Sequence, residues 1–264
     1  MKNNLLLLVT KHRILNAYPA LFFVFILLNA HNLNAQTCLV KSFIKIYYDS
    51  ADTTQYTYAK KTRLLSDLTY ALDGGGGYVT ESRSYENGLL SVINEGVFSH
   101  RYEYNENKQL TKINDYDDLG VTNFYQEYTF DEQNRLVKHA YYEKYNYQEY
   151  VATTFSTYRY EGDKKVIMEE YHDFHDEMKT PQYTYVTEYS DKLNPFYQPV
   201  AFPDVSQKYL AEKEVITQFD GTIVDDYSYT RTCTYNKEGY PLECTINFMD
   251  GTLMNKEKYT YDCK

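Results

Sequence analysis

The strongest concentration of side chains capable of chemistry is the segment from His172 to Glu177, which reads His-Asp-Phe-His-Asp-Glu. Imidazole and carboxylate groups bind first-row metal ions and act as general acids and bases. We select His172, His175 and Asp176 as candidate metal ligands, and they suggest a hydrolase that is metal-dependent or acts on carbohydrate. The same residues also suit a solvated loop, because no motif fixes their mutual geometry.

Other segments that resemble functional motifs lack a residue that the chemistry requires. Asp115-Tyr-Asp117-Asp118 resembles the start of a calcium loop, but Leu119 occupies a ligand position and the closing glutamate is missing. The glycine run at 74–77 has neither the lysine nor the helix of a phosphate-binding loop. No serine-hydrolase elbow, zinc-protease motif or Cys–His nucleophile pair is present. We therefore predict a protein that is not an enzyme, with no catalytic residue and no cofactor.

The composition narrows the classes of partner. The 264 residues carry a net charge of −10 and include 32 tyrosines but no tryptophan. A nucleic-acid binder needs a positive face, which this charge excludes, and a disordered acidic tail is poor in aromatic residues. Because tyrosine rings contact sugars and peptides, a glycan, a peptide or another envelope protein stays open as the partner.

Residues 1–35 predict an export signal. Basic residues precede the apolar run Leu21–Leu28, and a polar stretch ending at Ala35 follows. This is the order of a secretory signal, and the run is too short for a membrane span, which takes about 20 residues. We expect a periplasmic or extracellular protein, with outer-membrane association open. Residues 36–264 then form a single domain without a membrane span.

A repeated motif dominates the rest of the chain. Each copy begins with an aromatic residue, continues with five polar or turn-forming residues and ends with an apolar residue or proline. The copies are Tyr58–Leu64, Tyr104–Leu110, Phe130–Leu136, Tyr160–Val166, Tyr189–Pro195 and Tyr235–Pro241, with a shortened copy at Tyr85–Leu89. Because Asp, Asn and Gly tolerate turn dihedrals, each copy predicts a tight turn between two antiparallel strands.

The segments between these turns predict an all-β fold. In 227–235, tyrosine, arginine and cysteine alternate with serine and threonine. A period of two is typical of a β-strand. If all motif turns lie at one end of the sheet (end A) and the remaining connections at the other (end B), the chain forms an antiparallel meander of about sixteen strands.

The motifs resemble the tyrosine–aspartate (YD, or RHS-type) repeats of bacterial surface proteins and toxin shells. A closer resemblance, carried by Tyr189–Tyr197 and Tyr235–Leu242, is to a family of uncharacterised exported Bacteroidetes proteins with a porin-like or partly rolled antiparallel sheet. The resemblance implies an architecture and no established activity. The glycine expected at the fifth motif position stands at Gly239 but is replaced by Lys108 and Asn134.

A round barrel of about sixteen strands would be hollow. We therefore predict a flattened or partly open barrel with tyrosines between its walls. The face without tyrosines consists of serine, threonine and charged residues, unlike the apolar belt of an outer-membrane barrel. The sequence thus favours a soluble or peripheral protein.

Export permits disulfides, and four cysteines follow the predicted leader. With sixteen strands, Cys38 and Cys263 both lie at end A, so a bridge between them would close the seam between the first and last strands. The alternative is an unpaired Cys38 near a frayed terminus.

Cys233 and Cys244 flank the last motif turn. They face each other if Tyr235 pairs with Leu242, whereas Cys244 points to the other face if Tyr235 pairs with Pro241. We favour the set Cys233–Cys244 with Cys38–Cys263.

A proline-rich insertion at about 195–212 lengthens the connection between the last two full motifs. Asp204 is placed to cap a short helix that runs to Glu212. Because proline breaks a strand ladder, we expect the insertion to fold over one mouth of the barrel. A plug or lid and a simple hydrophobic cap that buries Phe196 are both open.

Overall fold

Sixteen antiparallel strands make up the computed structural model, which describes residues 38–47, 51–58, 65–71, 78–145, 149–172, 180–196 and 208–263. The strands belong to one compact unit, from Cys38 to Cys263. The predicted leader lies outside the described residues.

Each strand pairs with its neighbours in chain order. The strands are β1 (Cys38–Ile46), β2 (Ala51–Tyr58), β3 (Leu65–Ala71), β4 (Tyr78–Glu86), β5 (Leu89–Glu95), β6 (Phe98–Tyr104), β7 (Leu110–Tyr116), β8 (Thr122–Phe130), β9 (Leu136–Tyr145), β10 (Glu149–Tyr160), β11 (Lys165–His172), β12 (Tyr183–Leu193), β13 (Tyr209–Gln218), β14 (Tyr229–Tyr235), β15 (Pro241–Phe248) and β16 (Leu253–Cys263). The predicted strand number and meander are confirmed. The motif copies that begin at Tyr85, Tyr104, Phe130, Tyr160 and Tyr235 each connect two consecutive strands, as their turn chemistry indicates, whereas the copy that begins at Tyr189 lies mostly within β12.

The sheet closes into a barrel, because β1 pairs with β16 as well as with β2. Eight residue pairs join β1 to β16, from Cys38 with Cys263 to Ile46 with Lys256. The prediction of a partly open barrel is therefore wrong. Its premise was a hollow interior, but inward-facing tyrosines and paired charged side chains project into the barrel, so closure does not require an empty lumen.

The predicted short helix ending at Glu212 is also wrong, since this residue lies in β13. A ladder that runs from Tyr183–Gln218 to Leu193–Tyr209 joins β13 to β12. This ladder pairs Tyr209 and Ala211 with β12, whereas an isolated helical turn is unstable on its own. No helix in the described part of the chain has the length and hydropathy that crossing a membrane requires.

Three of the motif turns are built on a side chain that accepts backbone hydrogen bonds. Asn105 Oδ1 accepts the N–H groups of Asn107 and Gln109, each at 3.0 Å. Asp131 and Asn236, which follow the motif aromatic in their own hairpins, accept the equivalent pair of N–H groups. In these three hairpins the first polar residue of the motif therefore sets the turn by an Asx interaction.

The fifth motif position requires a left-handed backbone in the same three hairpins. The φ angles are 62° at Lys108, 62° at Asn134 and 86° at Gly239. Replacement of the expected glycine therefore leaves the turn geometry unchanged and places a side chain where L-residues are strained.

A β-bulge resolves the register of the Cys233–Cys244 hairpin. Tyr235 pairs with Pro241, yet Cys233 pairs with Cys244, because Leu242 is an extra residue in its strand. The two registers that the sequence offered as alternatives therefore coexist in one hairpin. Equivalent register shifts precede Tyr58, Tyr85, Tyr104 and Phe130.

Inward-facing tyrosines at end A tie neighbouring strands together. The hydroxyls of Tyr85, Tyr104, Tyr160 and Tyr261 donate to the carbonyl oxygens of Leu65, Leu90, Leu136 and Pro241 at distances of 2.9, 2.8, 2.8 and 2.6 Å. Each acceptor lies at the start of the preceding strand. Phe130 occupies the equivalent position of β8 and has no hydroxyl to donate.

Candidate functional site

The structure describes one of the three predicted metal ligands. His172 is the last residue of β11, and its Nε2 contacts a carboxylate oxygen of Glu170. The other oxygen of Glu170 accepts the hydroxyl of Tyr185 at 3.3 Å. His175 and Asp176 lie outside the described residues, so the proposed site remains a prediction.

Another group of metal-capable atoms within the described residues lies at end A. The Sγ atoms of Cys38 and Cys263 and a carboxylate oxygen of Glu238 lie within 4.8 Å of one another. The two sulfur atoms form a disulfide. Because metals bind the thiolate, this group offers one carboxylate in the oxidised protein and is not a metal site in this state.

The structure joins the four cysteines as Cys38–Cys263 and Cys233–Cys244, the pairs that the sequence analysis favours. The first bridge links the first strand to the last, with a Cα–Cα distance of 4.1 Å. The second lies across the β14–β15 hairpin. Both bridges stabilise end A of the barrel.

Paired charged groups lie inside the barrel. His100 Nδ1 is 2.5 Å from Asp115 Oδ1, and Arg83 Nε donates to Glu81 Oε1 at 2.5 Å. The hydrogen bond to Asp115 raises the pKa of His100, whereas burial lowers the pKa of His139. These pairs satisfy charges that would otherwise be costly to bury.

Arg231 spans a gap in the wall between β13 and β14, which only two residue pairs join in the described chain. Its Nη1 donates to the carbonyl oxygen of Ala211 at 2.8 Å, and its Nη2 lies 3.4 Å from Glu257. Glu257 also accepts the hydroxyl of Tyr259 at 2.7 Å. The guanidinium therefore replaces missing ladder bonds, and we assign these residues a structural role.

The outer wall of β7–β11 carries aromatic side chains, which we call the aromatic row. Its members are Tyr116, Tyr125, Tyr142, Tyr150, Phe155 and Tyr171. Tyr125 and Tyr142 stack with ring centroids 4.5 Å apart, and Phe155 stacks on Tyr171 at 4.6 Å. The ring of Tyr150 meets Tyr125 edge-on at 4.9 Å. Outward positions of β14 carry threonine instead.

Cations lie over the rings of the aromatic row. The pairs are Arg101 with Tyr116 at 4.6 Å, Lys112 with Tyr125 at 3.9 Å, Lys138 with Phe155 at 4.9 Å and Lys144 with Tyr150 at 5.8 Å. In the described chain, none of these four cations forms an ion pair with a carboxylate. Ring faces are thus covered by other rings and by cations. The carboxylates of Glu127 and Glu169 lie on the same face, where the Tyr171 hydroxyl donates to Glu169 at 3.1 Å, so the surface presents ring edges, hydroxyls and charges of both signs.

The aromatic row was not among the features predicted from the sequence, although the sequence contains a signal for it. Tyr125 lies at an odd offset from the motif aromatic Phe130, and strand residues at an odd offset occupy opposite faces. On the return strand, the bulge next to Leu136 changes the phase. Counting residues from Leu136 therefore places Tyr142 on the inner face unless the bulge is taken into account.

No protein-family model and no curated protein matches the chain. Among solved structures, a porin-like protein from Bacteroides uniformis ATCC 8492 aligns with a TM-score of 0.58 at 13% identity, over 86% of this chain and 97% of that one. A porin-like protein from Bacteroides vulgatus ATCC 8482 aligns with a TM-score of 0.44 at 10% identity, over 85% and 98%. The Photorhabdus luminescens Tc holotoxin pore aligns at 0.23 and 14% identity, over 82% of this chain and 12% of that one.

The second and third structures, with TM-scores below 0.5, do not establish a shared fold. The comparison with the Bacteroides uniformis protein supports the porin-like part of the predicted resemblance, whereas a YD or RHS family is not shown. The chain therefore shares its barrel fold with a porin-like protein from Bacteroides.

Proposed function

We propose that this protein is an exported, non-catalytic barrel of the cell envelope that binds an acidic glycan at the aromatic row. The observation that carries the proposal is the set of four cations that lie over aromatic rings and that form no ion pair with a carboxylate among the described residues. On a chain with a net charge of −10, carboxylate partners are abundant. Cations that form no ion pair among the described residues favour an anionic partner from outside.

The dimensions and chemistry of the row favour a linear sugar polymer. Five neighbouring strands, spaced about 4.8 Å apart, extend the row over roughly 20 Å. Tyrosine hydroxyls accept hydrogen bonds from sugar hydroxyls, and the ammonium groups form charge-assisted hydrogen bonds with uronate carboxylates. A single sugar would contact only part of this surface.

An exported location is supported by three observations. The first residues have the pattern of a secretory signal. Both disulfides require an oxidising compartment to persist. The structural relative is named a porin-like protein. Together they favour the cell envelope over the cytosol.

Isothermal titration of the purified protein with oligogalacturonate and with neutral maltoheptaose tests the proposal. We expect the uronate to bind, with an affinity that falls as salt increases, and the neutral glucan not to bind. Lys112→Gln and Lys144→Gln should each weaken uronate binding by about tenfold, the loss of about one charge-assisted hydrogen bond. Lys256→Gln, an exposed change on β16, is the matched control.

Equal binding of both sugars, or unchanged affinity in the Lys112 and Lys144 variants, would contradict the proposal. The same mixtures also test the alternative of a hydrolase at His172–Glu177. Release of new reducing ends from either sugar would support that alternative and argue against a non-catalytic protein.

A further inference from the structure

Exposed large apolar side chains are concentrated at end B of the barrel. Among the described residues, Phe196 and Leu242 are at end A, and all the others lie in or near the end-B connections. The Tyr229–Phe248 pair ends the β14–β15 ladder, so the connections on its two sides leave the barrel next to each other. These two connections carry five exposed apolar residues, which we call the apolar rim: Phe219, Ile223, Tyr227, Met249 and Leu253.

The turn geometry does not require these apolar residues. The turns that follow β13 and β15 have the same backbone hydrogen bonds as three motif turns at end A. The two central residues of the motif turns are polar, as in Lys237-Glu238, whereas the end-B turns carry Phe219-Asp220 and Met249-Asp250. Since the same backbone accepts two polar residues, the exposed apolar side chains favour a contact outside the chain.

The β13–β14 connection is held in place by a buried serine. The Ser228 Oγ donates to the carbonyl oxygen of Val224 at 2.9 Å and accepts the N–H of Ile216 at 2.9 Å. The Val224 N–H donates to the carbonyl oxygen of Ile216 at 2.8 Å. The connection is thus tied to β13, so a partner would not have to order Ile223 and Tyr227 on binding.

The charges between the apolar residues have one sign. Four aspartates lie in the two connections, and neither connection contains lysine or arginine. Asp220 and Asp250 each accept a backbone N–H in their turns, at 2.9 and 2.8 Å, whereas Asp225 and Asp226 are exposed. This charge repels a second copy of the rim and an anionic lipid surface, and it complements a positively charged surface.

We propose that the apolar rim binds a basic protein that presents apolar side chains among lysines or arginines. Aromatic residues and methionine are enriched in protein interfaces, so Phe219, Tyr227 and Met249 supply the apolar contacts. The aspartates around them pair with the cations of the partner. The rim lies on β13–β16, whereas the aromatic row lies on β7–β11, so the two sites are separate.

Isothermal titration with three amphipathic peptides of about 14 residues, four helical turns, tests the class of partner. The peptides are built from leucine and lysine, from leucine and glutamate, and from glutamine and lysine. We expect the leucine–lysine peptide to bind, with an affinity that falls as salt increases. The others lack the charge or the apolar face and should bind at least about tenfold more weakly. No binding of the first peptide, or equal binding of another, would overturn the proposal.

Paired variants test the location on the folded barrel. Phe219→Ser with Met249→Ser removes two apolar side chains, and Asp225→Asn with Asp226→Asn removes two charges. Each pair should weaken binding of the leucine–lysine peptide by at least about tenfold, and full affinity in either would contradict the site. Neither pair should alter oligogalacturonate binding by more than about twofold. This proposal and the proposed function therefore fail separately.

End A supplies the matched controls. Leu242→Ser removes an exposed apolar side chain at a bulge position that Ser66 fills in its own hairpin. Glu106→Gln with Glu132→Gln removes two charges from central positions of motif turns. Both should leave the peptide affinity within about twofold. A loss as large as in the rim variants would show that the peptide follows net charge, and would overturn the proposal.

Two further measurements test other occupants of the rim. We expect no self-association through the rim in sedimentation velocity and no flotation with phosphatidylcholine vesicles. Self-association or vesicle binding that Phe219→Ser with Met249→Ser abolishes would assign the rim to a second copy or to lipid, and would refute a basic protein partner.

Discussion

At the scale of single residues, backbone conformation decides the fifth motif position. Lys108 and Gly239 both adopt positive φ in hairpins of the same construction. A Cβ added at Gly239 would meet no atom within 4 Å. The cost of a side chain there is therefore backbone strain and not a clash.

Lys108→Gly should raise the free energy of unfolding by about 1 kcal/mol, because glycine removes the left-handed strain of an L-residue. Lys164→Gly is the matched control, since Gly162 is the left-handed residue of that hairpin. This control should lose about 0.5–1 kcal/mol through greater freedom of the unfolded chain. Urea unfolding measures both, and a loss of stability in Lys108→Gly would contradict the argument.

The pKa values of two inward-facing histidines are shifted in opposite directions. The hydrogen bond to Asp115 raises the pKa of His100, so its contribution to stability is present below the ordinary value of 6.5 and is lost as pH rises through the folded value. Burial lowers the pKa of His139, so its contribution is lost as pH falls.

An NMR titration should therefore find His100 above 6.5 and His139 below it. Asp115→Asn should lower the pKa of His100. It should also destabilise the protein more at about pH 5.5 than at about pH 8. An unchanged His100 pKa in this variant would show that the pair does not form in solution.

At the scale of elements, the hairpin unit combines an Asx turn, a bulge and a tyrosine that ties it to the preceding strand. In three hairpins, the extra residue of the bulge adds a hydrogen bond from its side chain. The hydroxyls of Ser66, Ser91 and Thr111 donate to the carbonyl oxygens of Thr57, Ser84 and Glu103. Side chains thus recover hydrogen bonds where a bulge disrupts the ladder. Many tyrosines of this chain therefore have an architectural role.

Phe130→Tyr should stabilise the protein by about 1 kcal/mol, because the new hydroxyl would reach the carbonyl of Leu110 as Tyr104 reaches that of Leu90. Tyr104→Phe is the reverse change and should cost a similar amount. Thermal and urea unfolding measure both. If Tyr104→Phe costs nothing, the tyrosine hydroxyls do not stabilise the wall.

At the scale of the whole molecule, closure depends on joining the two ends of the chain. The Cys38–Cys263 bridge spans a sequence separation of 225 residues, whereas Cys233–Cys244 spans 11. The first therefore restrains the unfolded chain far more strongly than the second. Phe196, at the start of the insertion, packs on Phe43 with ring centroids 5.5 Å apart and adds to the aromatic contacts near this seam.

Replacing Cys38 and Cys263 by serine should cost about 5 kcal/mol, and replacing Cys233 and Cys244 about 3 kcal/mol, from the entropy of loop closure. The two double variants serve as controls for each other, because each removes one bridge. Equal losses in urea unfolding would show that loop length does not determine the effect.

The sequence predicted the disulfide set better than it predicted the insertion. The Cys38–Cys263 pair follows from the strand number, which turn residues indicate locally. The register of Cys233 and Cys244 stayed open, because a one-residue bulge at Leu242 has no clear sequence signal. The helix ending at Glu212 was wrong because a capping residue is a local signal, and pairing with β12 outweighs it.

The sequence by itself determined the strand number, the meander and the end at which each motif turn lies. These features depend on turn chemistry and on the two-residue period, which are local. Only the tertiary structure decided that the barrel closes and that the aromatic row faces outward. These features depend on which distant strand edges pair and on where bulges shift the register, and neither is a property of any short segment.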